Sequence, residues 1–145
     1  PLSEGFAVFR EFLQIKPDLH VGGQVRNGTT KGIDENALAA YNAPFPDDDH
    51  KQGVRQFPNL VPGTPRTPSA EPNKEAWKIL REWKKPFLCA FSDKDPIFSG
   101  VENSFYKLIP GCKDMPHVTI QNAGHFLQED QPNACVEAIL SIKDI

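Results

Sequence analysis

The chain has 145 residues, 39% hydrophobic and 24% charged, with a formal net charge of −3. That length suits one domain or part of one. No apolar run approaches the ~18 residues of a membrane span, and the acidic balance argues against a nucleic-acid partner.

Residues 1–60 read as helical and loop-like. Phe6, Phe9 and Leu13, with Phe12 alongside, recur at three- and four-residue steps, which predicts an amphipathic helix ended by Pro17. Residues 18–32 are Gly-rich and show no firm periodicity. A short helix is predicted over 34–41, capped by Asp34, with Leu38 and Tyr41 on its apolar edge. The segment Ala43-Pro44-Phe45-Pro46-Asp47-Asp48-Asp49 breaks any helix, and its acids read as solvated. Another short helix is expected within 50–60. Pro62, Pro65, Pro68 and Pro72 then mark a linker over 61–72. Pro72 suits the first turn of a helix running to about Trp83, whose buried face would hold Ala76, Trp77, Leu80 and Trp83.

The pattern changes after Pro86. Phe87-Leu88-Cys89-Ala90-Phe91 is a short apolar run, predicted as a strand buried on both faces. A turn over 92–96 and a helix near 100–109 follow. His117-Val118-Thr119-Ile120 is a second predicted strand, and Asn122-Ala123-Gly124-His125 a tight turn. The final helix starts near 130–132, with Ala134, Ala138, Ile139 and Ile142 expected to be buried. Strand and helix alternate here, so the fold class is α/β with a parallel sheet. Two strands cannot satisfy and cover such a sheet, so the sheet in this chain is expected to be incomplete. The expected organisation is a helical region over 1–70 and the sheet-bearing part over 71–145. The chain opens on Pro1 rather than Met and is read as a fragment of a longer one.

Cys89, Cys112 and Cys135 are odd in number and contain no C-x-x-C, which favours a reducing, cytoplasmic compartment. His20, His50, His117 and His125 show no ligand spacing with them, so neither metal nor cofactor is expected. Catalytic groups of open parallel sheets gather beyond the carboxyl ends of the strands. Asp95 follows the first strand and His125 the second, so both loops fall on one sheet edge. An Asp there can hold one ring nitrogen of the His while the other takes a proton. Asp93 competes with Asp95 for that place. The order acid then His is that of the α/β-hydrolase fold.

Tyr41-Asn42-Ala43-Pro44-Phe45-Pro46-Asp47, Gly53-Val54-Arg55-Gln56-Phe57-Pro58, the run from Pro86 to Ile97, and Gly124-His125-Phe126-Leu127-Gln128-Glu129-Asp130 occur in that order. Together they resemble the C-terminal half of a haloalkane dehalogenase, with residues 1–70 as its helical cap. The resemblance implies a carboxylate nucleophile that displaces halide, and an alkyl-enzyme ester cleaved by His-activated water. By position His125 would be the base and Asp95 its partner. Phe57, Pro58 and Val61 from the cap, and Ile97, Phe98 and Phe126 from the main domain, would line the substrate cavity. The partners implied are a small apolar halogenated substrate, water and halide. The family's halide-holding cap Trp aligns with Phe9, which has no N–H donor. No Gly-x-Asp-x-Gly elbow or His-Gly oxyanion segment occurs, so the nucleophile and the rest of the sheet are expected on a missing N-terminal half. These residues alone are expected to be inactive. The rival readings are an epoxide hydrolase of the same fold, for which Tyr41 is the one cap tyrosine, and a non-catalytic truncated relative.

Overall fold

A computed structural model of the chain describes residues 4–142. The chain divides into two compact units. One comprises Pro1–Asn27 with Ile33–Glu75, the other Gly28–Gly32 with Ala76–Ile145.

The first unit is built from short helices. Helix α1 (Glu4–Ile15) follows the predicted phenylalanine stripe and buries Leu13. Its last carbonyls have no intrahelical donors. Arg55 supplies one for Leu13, donating Nη1 to its carbonyl at 2.6 Å, and also ties the residues just past the helix, with Nη1 on the Lys16 carbonyl at 3.0 Å and Nη2 on that of Pro17 at 3.2 Å. Helix α2 (Val21–Asn27) occupies a stretch without predicted structure. Glycine is a poor helix former, but here it permits close packing. A Cβ on Gly22 would stand 2.7 Å from the Leu38 carbonyl oxygen, and the Gly22 N–H donates to Asn42 Oδ1 at 2.9 Å. Those partners lie on helix α3 (Glu35–Asn42), capped as expected by Asp34, which accepts from the Ala37 N–H at 2.8 Å.

The helix expected within 50–60 is a tight turn over Asp49–Lys51, helix α4 (Gln52–Gln56) and a second tight turn over Phe57–Leu60. Pro58 offers no N–H to continue the ladder. The acids before it are not merely solvated. Asp47 accepts the His50 N–H at 3.1 Å and faces His50 Nδ1 at 2.6 Å, while Asp48 pairs with Lys51 at 3.1 Å. Helix α5 (Ala70–Leu80) begins earlier than expected and ends three residues before Trp83. Pro72 still falls in its first turn, where its missing N–H costs nothing.

In the second unit, β1 (Ala90–Ser92) and β2 (Val118–Ile120) are parallel, with Ala90 opposite Val118 and Ser92 opposite Ile120. The first strand is shorter than its apolar run. The Cys89 N–H donates to His117 Nδ1 at 3.1 Å and the Phe87 N–H to the Gly111 carbonyl at 3.0 Å, so neither N–H joins the ladder, and Cys89 reaches β2 only through its carbonyl, which accepts the Val118 N–H at 3.0 Å. Alternation along the run then sorts the core. Cys89 packs with Ile109, Cys112, Phe87 and Phe91, against Trp77 and Leu80 of α5 and Phe105 of α6 (Glu102–Leu108). Leu88 and Ala90 pack with Ile120, Leu127 of α7 (Leu127–Asp130), and Ala134 and Ala138 of α8 (Pro132–Ser141). Pro132 opens α8, where its fixed φ suits a first helical position.

Four burial expectations are corrected. Ile139 is 65% exposed and Ile142 40%, while Trp83 lies beyond α5 at 37% with Lys85 Nζ over its ring. On α8 the packed stripe ends at Ala134 and Ala138. Ala76 is exposed as well, leaving Trp77 and Leu80 as the inward side of α5.

Candidate active site

The turns after β1 and β2 are zipped together by backbone and side-chain bonds. The Asp93 N–H donates to the Ile120 carbonyl at 3.1 Å and the Lys94 N–H to that of Ala123 at 3.0 Å. Asp93 Oδ1 in turn accepts the Ala123 N–H at 3.0 Å. That bond holds the Asp93 carboxyl below the usual range, against a smaller opposing effect of burial. Asn122 completes the second turn in the left-handed region at φ 57°, which asparagine tolerates better than most residues.

This frame presents Asp95 and His125 to one another. His125 Nδ1 lies 3.1 Å from Asp95 Oδ2. The other carboxylate oxygen, Oδ1, accepts the Ile97 N–H at 2.8 Å. Asp95 is 7% exposed, so its orientation is set by these two bonds with little access of water. The carboxylate is acceptor-only, so Nδ1 carries the proton of this bond and Nε2 has the lone pair. The His125 side chain is 29% exposed. Phe98 stacks on the imidazole at 5.6 Å between centroids, and Phe126 meets it edge-on at 5.0 Å. An oriented, partly open imidazole of this kind can take a proton from water.

In the competition between the two acids, Asp95 therefore meets His125 and Asp93 meets a backbone N–H. Ile97, Phe98 and Phe126 lie within the same unit, Ile97 through its N–H on Asp95 and both phenylalanines against the imidazole. Phe9, Phe57, Pro58 and Val61 lie in the first unit: Phe9 and Pro58 are half-buried, Phe57 is 72% exposed and Val61 38%.

No family model matches the chain. Curated relatives do. The haloalkane dehalogenase of Psychrobacter cryohalolentis is 50% identical over 130 residues, which is 90% of this chain and 43% of that protein. That of Mycolicibacterium paratuberculosis is 41% identical over 136 residues, 94% of this chain and 45% of that protein. Among solved structures, the haloalkane dehalogenase DpaA of Paraglaciecola agarilytica NO2 superposes with a TM-score of 0.80 at 25% identity, over 99% of this chain and 46% of DpaA. This chain is a homologue of the haloalkane dehalogenases. It spans a little under half the length of the curated relatives it matches, and it carries part of the α/β-hydrolase fold.

Within this dehalogenase homologue the thiols are poor candidates for a nucleophile. Burial, and then the neighbouring Cys112, push the Cys89 thiol up to about 12, and burial raises Cys135 too. His117 is equally committed, since Nε2–H donates to the Cys112 carbonyl at 2.9 Å while Nδ1 accepts from Cys89. It closes the backbone at the start of β1. The sequence did not reveal the parts played by His117, Arg55 or Asp130. Gln128-Glu129-Asp130 was visible only as part of a family-like string, with no task assigned to any of its members.

Proposed function

We propose that the protein to which this sequence belongs hydrolyses carbon–halogen bonds of small haloalkanes, with His125 as general base and Asp95 as the group that orients it. The observation that carries this reading is the hydrogen bond between His125 Nδ1 and Asp95 Oδ2 on adjacent turns, in a chain homologous to haloalkane dehalogenases. A carboxylate supplied by a segment outside these 145 residues attacks the halogen-bearing carbon. The C–X bond breaks, halide leaves with its electron pair, and an alkyl ester forms. His125 Nε2 then takes a proton from water as the water oxygen attacks the ester carbonyl. The ester C–O bond breaks, the alcohol departs with a proton, and the carboxylate is restored. Asp95 stabilises the imidazolium formed in between.

Other features support the same reading. Two strands are all the sheet among the described residues, and Val136, Ile139 and Leu140 on α8, with Ile142 at its C-cap, leave apolar surface uncovered. Both fit an N-terminal half that adds strands and the nucleophile, and these residues alone are then inactive. Phe98 and Phe126 form an apolar wall beside His125, suited to a substrate without charge. We assign Phe9, Phe57, Pro58 and Val61 as the substrate-contacting residues of the first unit, the exposed Phe57 ring foremost. Phe9 brings no N–H donor for the halide. The test is halide release from short chloro- and bromoalkanes by the full-length protein, beside His125→Gln and an epoxide of matched size. Halide release that His125→Gln loses supports the reading. Epoxide opening without halide release overturns it.

A further inference from the structure

Asp130 takes no part in the Asp95–His125 pair, yet it is 4% exposed, more buried than Asp95. Everything facing its carboxylate is a donor. Oδ2 accepts the Gly124 N–H at 2.8 Å, and both oxygens accept the Thr30 N–H, at 3.0 and 2.8 Å. Oδ1 also accepts the Lys31 N–H at 3.2 Å and faces the Thr30 hydroxyl at 2.9 Å. That hydroxyl lies 3.0 Å from the Asn122 carbonyl as well, so its one proton is shared between two acceptors. Lys31 Nζ closes the ring by donating to the Asp130 carbonyl at 3.1 Å.

Asp130 thus ties the segment Gly28–Gly32 to the turn that carries His125. The segment reaches the far side of that turn too, since the Phe126 N–H donates to the Gly28 carbonyl at 3.2 Å. Both backbone neighbours of His125 are therefore held, Gly124 by Asp130 directly and Phe126 by the segment Asp130 anchors. A side chain on a backbone fixed on both sides keeps its reach to a partner within the few tenths of an ångström that a hydrogen bond tolerates.

We propose that Asp130 is a positioning residue, whose ionised carboxylate, through the Gly28–Gly32 segment, sets the backbone of His125 so that Nδ1 stays on Asp95. The proposal rests on the reading of His125 as the base. Burial pushes the Asp130 carboxyl up, but the hydrogen bonds from Gly124 and Thr30 outweigh it and leave it below the ordinary range. An amide cannot replace it, because one half of the group would point N–H at N–H.

The test uses the full-length protein and the low-field proton resonance of His125 Nδ1–H in NMR, which reports the bond to Asp95. Asp130→Asn is expected to lose that resonance, and turnover to fall on the order of 10²-fold. Thr30→Val, a milder change that keeps the backbone donors, is expected to weaken the resonance. Ala138→Gly, a core variant on α8 in the same unit, lowers the melting temperature through lost packing and lost helix propensity and is expected to keep it. Loss in Asp130→Asn and retention in Ala138→Gly support the assignment. Retention in Asp130→Asn, or loss in all three variants alike, overturns it. Absence of the resonance from the wild type overturns the Asp95–His125 pairing and this proposal with it. Failure of haloalkane turnover with the resonances behaving as expected removes the proposed function and leaves the positioning role intact.

Discussion

Gly124 and Gly28 meet without side chains: a Cβ on Gly124 would stand 2.5 Å from the Gly28 carbonyl oxygen. The obstacle is backbone, which cannot swing aside as a side-chain tip would. Gly124→Ala is therefore expected to force the segment and the His125 turn apart. The expected cost is about 1–3 kcal/mol, the usual range for overpacking, read from urea unfolding. Unchanged stability would show that the two backbones are not in contact.

Asp93 and Asp95 leave the same strand for different partners, and their amide variants should separate accordingly. Asp95→Asn removes the acceptor that fixes the His125 tautomer, so turnover by the full-length protein should fall by roughly 10²–10⁴-fold. Asp93→Asn keeps an amide oxygen for the Ala123 N–H but loses the negative charge that strengthens that bond. It should chiefly lower stability, with a smaller loss of turnover. Equal losses of turnover would contradict the division of labour.

Arg55 closes the end of α1 through three carbonyls. Removing it by Arg55→Met should destabilise the protein by about 2 kcal/mol, as expected for hydrogen bonds from a charged donor. Arg55→Lys should recover little, because a single ammonium cannot reproduce the guanidinium fork. Thermal unfolding of both variants checks this, and full recovery by Lys would argue that charge alone matters.

Acid should weaken the His125 turn, which neutral pH leaves intact. The carboxyls of Asp130 and Asp93 lie below the ordinary Asp value of 3.8 in the folded protein. The unfolded chain then binds more protons as pH falls past that value, so the stability these groups contribute is present above it and is lost below it. Asp130→Asn should be less stable than wild type near pH 7, and the gap should close as pH falls below the ordinary Asp value. A gap that stays constant across an acid titration of chemical denaturation would show that Asp130 is not the group titrating.

Thiol chemistry offers an independent check on packing. With its thiol pushed up to about 12, Cys89 is essentially all protonated at mildly alkaline pH. Cys89 and Cys112 are buried, whereas Cys135 is partly exposed. Alkylation should mark Cys135 first and reach the other two only in denaturant. Fast native labelling of Cys89 would contradict its place in the core beside Ile109 and Phe91.

The local elements of this chain were legible where one residue type dominates the local choice. Phe6, Phe9 and Leu13 announced α1, Asp34 announced the start of α3, and Pro132 that of α8. The order of an acid and a histidine after consecutive apolar runs was enough to bring Asp95 and His125 to one edge of a parallel pair. Helix α2 was not legible, because Gly22 and Gly23 argue against helix locally and only the approach of Leu38 and Asn42 favours it. Nor was the exposure of Ile139 and Ile142, since an apolar residue on a helix carries no record of which neighbours exist to cover it.

What the sequence alone determined is the alternation of apolar runs and breaks, and with it the class of fold and the two turns, one acidic and one carrying His125, that meet at its edge. Only the tertiary structure decided which of Asp93 and Asp95 reaches the imidazole, that Arg55 closes α1, and that Asp130 holds the His125 turn from 100 residues beyond Thr30. Periodicity acts within a few residues along the chain. Hydrogen bonds between distant backbone groups exist only once folding has brought those groups together, and no local pattern encodes them.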